Sequence, residues 1–167
     1  MLVERWLYRA RQAGKVRGRK LTRQEWPEVK EVMSPPLFDL FLSMRGIAQR
    51  HGYDVYRMLR SQGWTDPDLL AAALLHDVGK GRLSVASRAL WVLLGAWSKG
   101  LRERLALHPV LGRWLGLRVN LYHAALGAEL VHQAQGSLIT AWLIANHELQ
   151  GHADPVLQAL QRADSDS

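Results

Sequence analysis

Seven apolar residues in a row, Leu69 to Leu75, follow Asp66-Pro67 and run directly into His76-Asp77. Asp66 carries the side chain of a helix N-cap, and Pro67 suits the first helical position, where its missing N–H goes unused. A helix that is apolar nearly all round has no face to give to water, so it is expected at the centre of a bundle. Gly79 is placed to stop it. The sequence therefore carries a polar pair, His-Asp, at the end of its most buried element.

The rest of the chain also reads as helix. Ser34-Pro35-Pro36 marks a break with a second cap-then-proline start. From there Leu37, Phe38, Leu40, Phe41, Met44, Ile47, Ala48, His51, Val55, Met58 and Leu59 recur at helical spacing as far as Gly63, with Gly52 as an interruption. A further helix carries Tyr122, His123, Leu126, Gly127, Leu130, Val131 and Ala134, ending near Gly136. Ser137 starts another, with Ile139, Trp142, Leu143, Asn146 and His147. Asp154-Pro155 starts the last, with Val156, Leu157, Leu160 and Asp164. No segment alternates like a strand, and there is no internal repeat. The expected fold class is all-α, with a basic lead-in over residues 1–33 and one helical domain over 34–167. Residues 81–121 are the least readable stretch: Leu83, Leu90, Trp91, Leu93, Leu94 and Trp97 cluster there with Arg and Lys on both sides. Packing within a helix hairpin, a lid, or an interfacial helix would each fit.

Composition narrows the chemistry. The chain contains no cysteine, which excludes disulfides, iron–sulfur clusters and thiolate zinc sites and suits a reducing cytoplasm. Any metal must be held by nitrogen and oxygen, so the seven histidines are the first place to look. The formal charge of +7 is concentrated early: Arg5, Arg9, Arg11, Lys15, Arg17, Arg19, Lys20 and Arg23 stand against Glu4. This start lacks the apolar core of a secretory signal. The most apolar later run, Ala89 to Trp97, falls well short of the roughly 20 residues a membrane span needs. Two readings of residues 1–33 stay open: a solvated arm packed by Trp6, or a cationic contact for an anionic membrane or nucleic acid.

Polar side chains recur on faces that should point inward. His51 lies in the stripe with Ile47 and Val55, and His123 shares its face with Leu126, Gly127 and Leu130. His147 follows Leu143 and Ile139 by one and two turns, and Asp164 follows Leu160 and Leu157 in the same way. Buried polar and charged groups are costly unless paired. A single metal centre taking His51, His76, Asp77, His123, His147 and Asp164 would satisfy them together.

The stretch Ala73-Leu74-Leu75-His76-Asp77-Val78-Gly79-Lys80 resembles the defining motif of HD-domain metal-dependent phosphohydrolases. His51 and Asp164 complete that superfamily's H…HD…D order, and the resemblance spans about residues 37–164. It implies an all-α bundle with one ion held by His51, His76, Asp77 and Asp164. His123-Ala124-Ala125-Leu126-Gly127-Ala128-Glu129-Leu130 resembles the helix that carries a second-metal histidine. Ile144-Ala145-Asn146-His147-Glu148 resembles the next. Together they imply a second ion on His123 and His147, bridged by Asp77. His108-Pro109-Val110-Leu111-Gly112 is a rival for the first of these two helices, and His123 is preferred because it lies one helix before His147.

The chain also departs from the pattern. Asn146 stands where the members that hydrolyse cyclic di-GMP have the first of two paired histidines. Ile47 stands where trinuclear members place a Glu, and their Gly-Tyr-Pro loop is only echoed by Gly151-His152-Ala153-Asp154-Pro155. Two ions are therefore expected, from among Mn, Fe, Co, Ni and Zn. The implied activity is hydrolysis of a phosphoester or phosphoanhydride in a phosphorylated small molecule, a nucleotide above all. Asp77 is the implied bridging catalytic carboxylate, and Lys80 either reaches a phosphate oxygen or is a solvated helix-end lysine. Arg50 reads as a surface charge. A non-catalytic HD module that binds a nucleotide or an anionic surface is the rival from another class.

Overall fold

The computed structural model describes residues 20–81 and 85–167. They form helices α1 (Trp26–Val32), α2 (Pro35–Ser43), α3 (Gly46–Ser61) and α4 (Pro67–Leu75), then a 3₁₀ turn at Val78–Lys80. After it come α5 (Val85–Trp97), α6 (Lys99–Leu107), α7 (Leu111–Trp114), α8 (Leu117–Gln133), α9 (Leu138–Asn146) and α10 (Pro155–Asp166). Among the described residues there is no strand, and the fold is all-α. No helix among them is long and apolar enough to cross a membrane.

Helix α4 lies where its sequence demands. Leu69 to Leu75 are all buried, and the helix packs against α1, α3, α9 and α10. Its start is fixed locally, since Leu69 N–H donates to Asp66 Oδ1 at 2.9 Å. The same device opens α9, where Thr140 N–H donates to Ser137 Oγ, and α10, where Leu157 N–H donates to Asp154 Oδ1. Each such cap contributes about 1 kcal/mol and, more usefully here, fixes the helix register.

The long helix expected from Pro35 to Gly63 is two helices. They part at Met44-Arg45, where both residues are extended, and Gly46 opens the second helix. Gly52 does not interrupt α3. A Cβ there would stand 2.5 Å from the Leu74 carbonyl oxygen, so Gly52 is what lets α3 lie directly on α4. Gly79 does the same for the 3₁₀ turn on α8, where a Cβ would fall 1.9 Å from the His123 carbonyl oxygen.

Leu21, Val29 and Met33, from the segment ahead of Ser34, belong to the same core cluster as Phe41, Leu59 and Leu160. Arg50 is not a free surface charge. Its guanidinium bonds to Asp54 and Glu25, tying α3 to the turn before α1. This core stops at α5–α7, which supply none of its residues. These three helices pack on one another and on α8. Arg102 lies over the Trp91 ring at 4.1 Å and holds α5 to α6.

Candidate metal centre

Four helices and one turn converge on a row of imidazoles. His51 comes from α3, His76 from the end of α4, His147 from the end of α9 and His123 from the inner face of α8. Successive ring centroids along His51–His76–His147–His123 are 5.1, 5.3 and 5.2 Å apart. Asp77 follows His76 into the 3₁₀ turn with φ −95° and ψ 3°, the sparsely populated bridge region where many active-site residues sit. Asp164, on α10, places Oδ1 2.8 Å from His51 Nε2 and 3.4 Å from His76 Nε2.

Two groups of donors can each hold a metal ion: His51, His76 and Asp77, and Asp77, His123 and His147. Asp77 belongs to both. Within the first group His76 Nε2 and Asp77 Oδ1 are 3.6 Å apart. Donors that share an ion at about 2.0–2.2 Å stand roughly 3 to 3.5 Å from one another, which matches these separations.

The hydrogen bonds make the stronger test of fit. His76 Nδ1 is 2.9 Å from the Ala73 carbonyl oxygen, His123 Nδ1 is 2.8 Å from that of Asn120, and His147 Nδ1 is 2.7 Å from that of Ile144. A carbonyl only accepts, so in all three rings Nδ1 carries the proton and donates. That leaves Nε2 aimed into the centre. His76 Nε2 and His123 Nε2 are buried there without a hydrogen-bond partner, and the buried Asp77 Oδ1 has the Lys80 ammonium beside it. Orphaned buried donors and acceptors are rare and call for a ligand. Histidine ligands of metals are held by a second-shell bond of this kind. The residues present therefore fit a divalent metal.

The electrostatics follow from burial and charge. Burial pushes His123 and His147 down to about 4, with nearby Lys80 and His76 adding to the shift respectively, so both are neutral near pH 7. Burial also works against protonation of His76, but Asp77 and Asp164 outweigh it and raise that ring to about 9. Burial opposes ionisation of Asp77 as well, yet Lys80 and His76 hold it well below the usual carboxylate range. Asp164 is held low in the same way by His76 and by its bond with His51. Lys80 Nζ stands 2.5 Å from Asp77 Oδ1, a close ion pair outside hydrogen-bond alignment.

These shifts set an expected pH profile for the metal-free protein. Between about pH 4 and 6.5 the unfolded chain binds protons at His123 and His147 that the folded chain refuses. Stability therefore falls as pH drops through that window, on the order of 2–3 kcal/mol per pH unit at its steepest. His76 has the opposite sign: its contribution is complete below about pH 6.5 and is lost as pH rises toward 9. Thermal melts of chelator-treated protein should peak near pH 6.5 and fall more steeply on the acid side. A melting temperature that stays flat from pH 6.5 to 4.5 would contradict the burial of neutral rings.

The remaining sequence candidates lie elsewhere. His108 is exposed, and its Nδ1 accepts from Leu111 N–H at 3.2 Å to cap α7. His132 is exposed. Several apolar neighbours expected on the inward faces also face solvent: Ile47 at 41%, Leu126, Leu130 and Ile139. The inner stripe of α8 is Leu117, Asn120, His123, Gly127 and Val131, and that of α9 is Thr140, Leu143 and Ile144.

Two further residues bear on the centre. Asn120 supplies the carbonyl that fixes His123, while its amide donates to Ser87 Oγ at 3.2 Å and so ties α8 to α5. Glu148 Oε1 lies 3.6 Å from His123 Nε2. Its place beside His147 was the one signal for it in the sequence. Next to the centre opens a cleft of about 480 Å³, lined by Gly79, Lys80, Arg113, Trp114, Val119 and Leu126 among others.

A family model described as HD domain matches residues 42–167, a span that takes in all six side chains of the centre. No match is found among curated proteins or among solved structures. An all-helical chain with His and Asp donors gathered at the end of its central helix, matched over three quarters of its length, belongs to the HD domain family, whose members are mostly metal-dependent hydrolases.

Proposed function

We propose that the protein hydrolyses a phosphoester or phosphoanhydride of a phosphorylated small molecule, with a nucleotide as the preferred class. The observation that carries this reading is Asp77, whose carboxylate is shared by two donor groups beside an open cleft, with His76, His123 and His147 buried and tautomer-fixed among them. His51, His76, Asp77 and Asp164 would hold one divalent ion, and Asp77, His123 and His147 a second. Such a pair supplies Lewis acidity and an activated water at phosphorus.

The chain's own residues do the rest. Burial keeps His123 and His147 deprotonated at neutral pH, as ligation requires. Lys80 lines the cleft and stands beside Asp77, so its ammonium can meet a phosphoryl oxygen as negative charge grows there. Arg113, which also lines the cleft, offers a second cation for a phosphate, and Trp114 an aromatic face for a base or another flat group.

The test is metal analysis of the purified protein, followed by a panel of nucleotides, cyclic dinucleotides and dinucleoside polyphosphates with Mn²⁺ added. Turnover of at least one class, abolished by chelator and restored by metal, is the expected result. One observation favours a second reading, a non-catalytic HD module for a nucleotide or anionic surface: Lys80 already neutralises Asp77 at 2.5 Å. Metal-replete protein that turns over nothing on the panel would make that module the better reading.

A further inference from the structure

Helix α5 turns an apolar face to solvent. Its exposed residues are Ala86, Ala89, Val92, Leu93, Ala96 and Trp97. At about 100° per residue they occupy one arc of about 140°. Leu93 is 60% exposed and Trp97 81%. The inward side of the helix is Ser87, Leu90, Trp91 and Leu94, set against α6 and α8. The outer face is therefore a second apolar stripe, beyond the one that packing needs. Further along residues 82–121, Leu107, Val110 and Trp114 are exposed as well, the last at 84%.

Charge says what covers it. Residues 82–121 hold seven Lys and Arg against one acid, Glu103. Lys99, Arg104, Arg113 and Arg118 are exposed, and among the described residues none forms an ion pair. A second copy of this surface would bring like charge against like. The N-terminal segment, with Arg5, Arg9, Arg11, Lys15, Arg17 and Arg19, is itself cationic and is no better a cover. Nucleic acid would answer the cations and leave the Leu and Trp faces in water.

An anionic bilayer answers both. Trp and cations favour the headgroup level, and apolar side chains sink to the acyl boundary. At 13 residues α5 is about 20 Å long, too short to span, so it would lie in the plane of the interface. We propose that α5–α7 form a docking surface for an anionic lipid membrane, with the apolar arc of α5 inserted at the interface and Lys99, Arg104 and Arg118 over the headgroups. Arg113 and Trp114 belong both to α7 and to the lining of the cleft, so docking would bring the cleft close to the membrane surface. The inference stands apart from catalysis: it needs neither metal nor turnover.

The test uses the full chain and sedimentation with vesicles of phosphatidylcholine, alone or with about one third phosphatidylserine. Wild-type protein is expected to pellet with the anionic vesicles, to be released by high salt, and to stay in solution with the neutral ones. The double variant Leu93→Gln/Trp97→Gln should lower that affinity about tenfold or more. Both residues are solvent-facing and lie outside the cleft, so hydrolysis of a small soluble substrate should not change. Leu138→Gln, an exposed leucine on α9 (74%), is the control and should bind as wild type.

Failure of wild type to pellet with anionic vesicles overturns the proposal, as does equal pelleting by wild type and double variant. So does an equal loss in the Leu138 control. A dimer in solution that the double variant dissolves would assign the face to a second copy and overturn it as well.

Discussion

Asp77→Asn should abolish both bound metal and hydrolysis, while Lys80→Ala should spare the metal and slow the reaction. Asn keeps the volume of Asp77 but removes the charge that both donor groups share. Loss of the common ligand weakens two ions at once, so the expected fall in turnover is on the order of a thousandfold or more. Lys80 belongs to neither donor group, and its substitution removes a cation from the cleft wall. About 10²-fold in turnover, with metal stoichiometry unchanged, is the expected cost. Metal content by elemental analysis, measured beside steady-state rates, separates the two variants. Full metal in Asp77→Asn would remove that carboxylate from the centre. Metal loss in Lys80→Ala would show that the lysine supports the site rather than the substrate.

Gly79→Ala should be among the most damaging single methyls that the described residues could receive. The added carbon would stand 1.9 Å from the His123 carbonyl oxygen and 2.6 Å from Gly127 N. Both are backbone atoms of α8, which cannot swing aside as a side chain would. The turn that carries Asp77 must then lift away from the helix that carries His123. A destabilisation of about 3 kcal/mol or more is expected, with loss of metal. Gly127→Ala, on the other side of the same contact, is the matched comparison. Its nearest neighbour is the Ile144 Cγ2 methyl at 3.1 Å, and Gly79 N lies at 3.3 Å. A shift of a few tenths of an ångström relieves that, so a cost of about 1 kcal/mol and retained metal are expected. Melting curves and metal analysis of the pair decide. Equal, mild effects would mean that the turn and α8 are not rigidly apposed.

The sequence made some of this legible and hid the rest for physical reasons. Caps at Asp66, Ser137 and Asp154 act within three residues, so reading along the chain finds them. Helix α4 was legible because a segment apolar on every side has one place to go. Which flank of a stripe turns inward is another matter. Ile47, Leu126 and Ile139 sit at helical spacing from their histidines yet face solvent, because the neighbouring helices cover a different part of the circumference. The break at Met44-Arg45 has only Gly46 to announce it, set in a stripe of apolar residues that keeps helical spacing across it. In α5 the ordinary premise fails outright, since its outward face is as apolar as its inward one. Nothing local brings His51 to Asp164 either, 113 residues apart in sequence and 2.8 Å apart in space. That meeting depends on α10 packing along α3.

The bonds from His76 and His147 to their own helices have a consequence for how the centre is loaded. Ala73 and Ile144 are among the last four residues of α4 and α9, whose carbonyls have no partner within the helix. Each imidazole therefore terminates its helix with the same N–H that fixes its ligand geometry. These two rings are posed by local bonds before any ion arrives, so capture of metal should require little rearrangement of α4 or α9. What the incoming ion must displace is the Lys80 ammonium and the proton on His76, which makes loading an exchange of cations. Its rate should therefore rise with pH toward 9, and His147→Asp would add a ligand charge while leaving the Ile144 carbonyl without its donor.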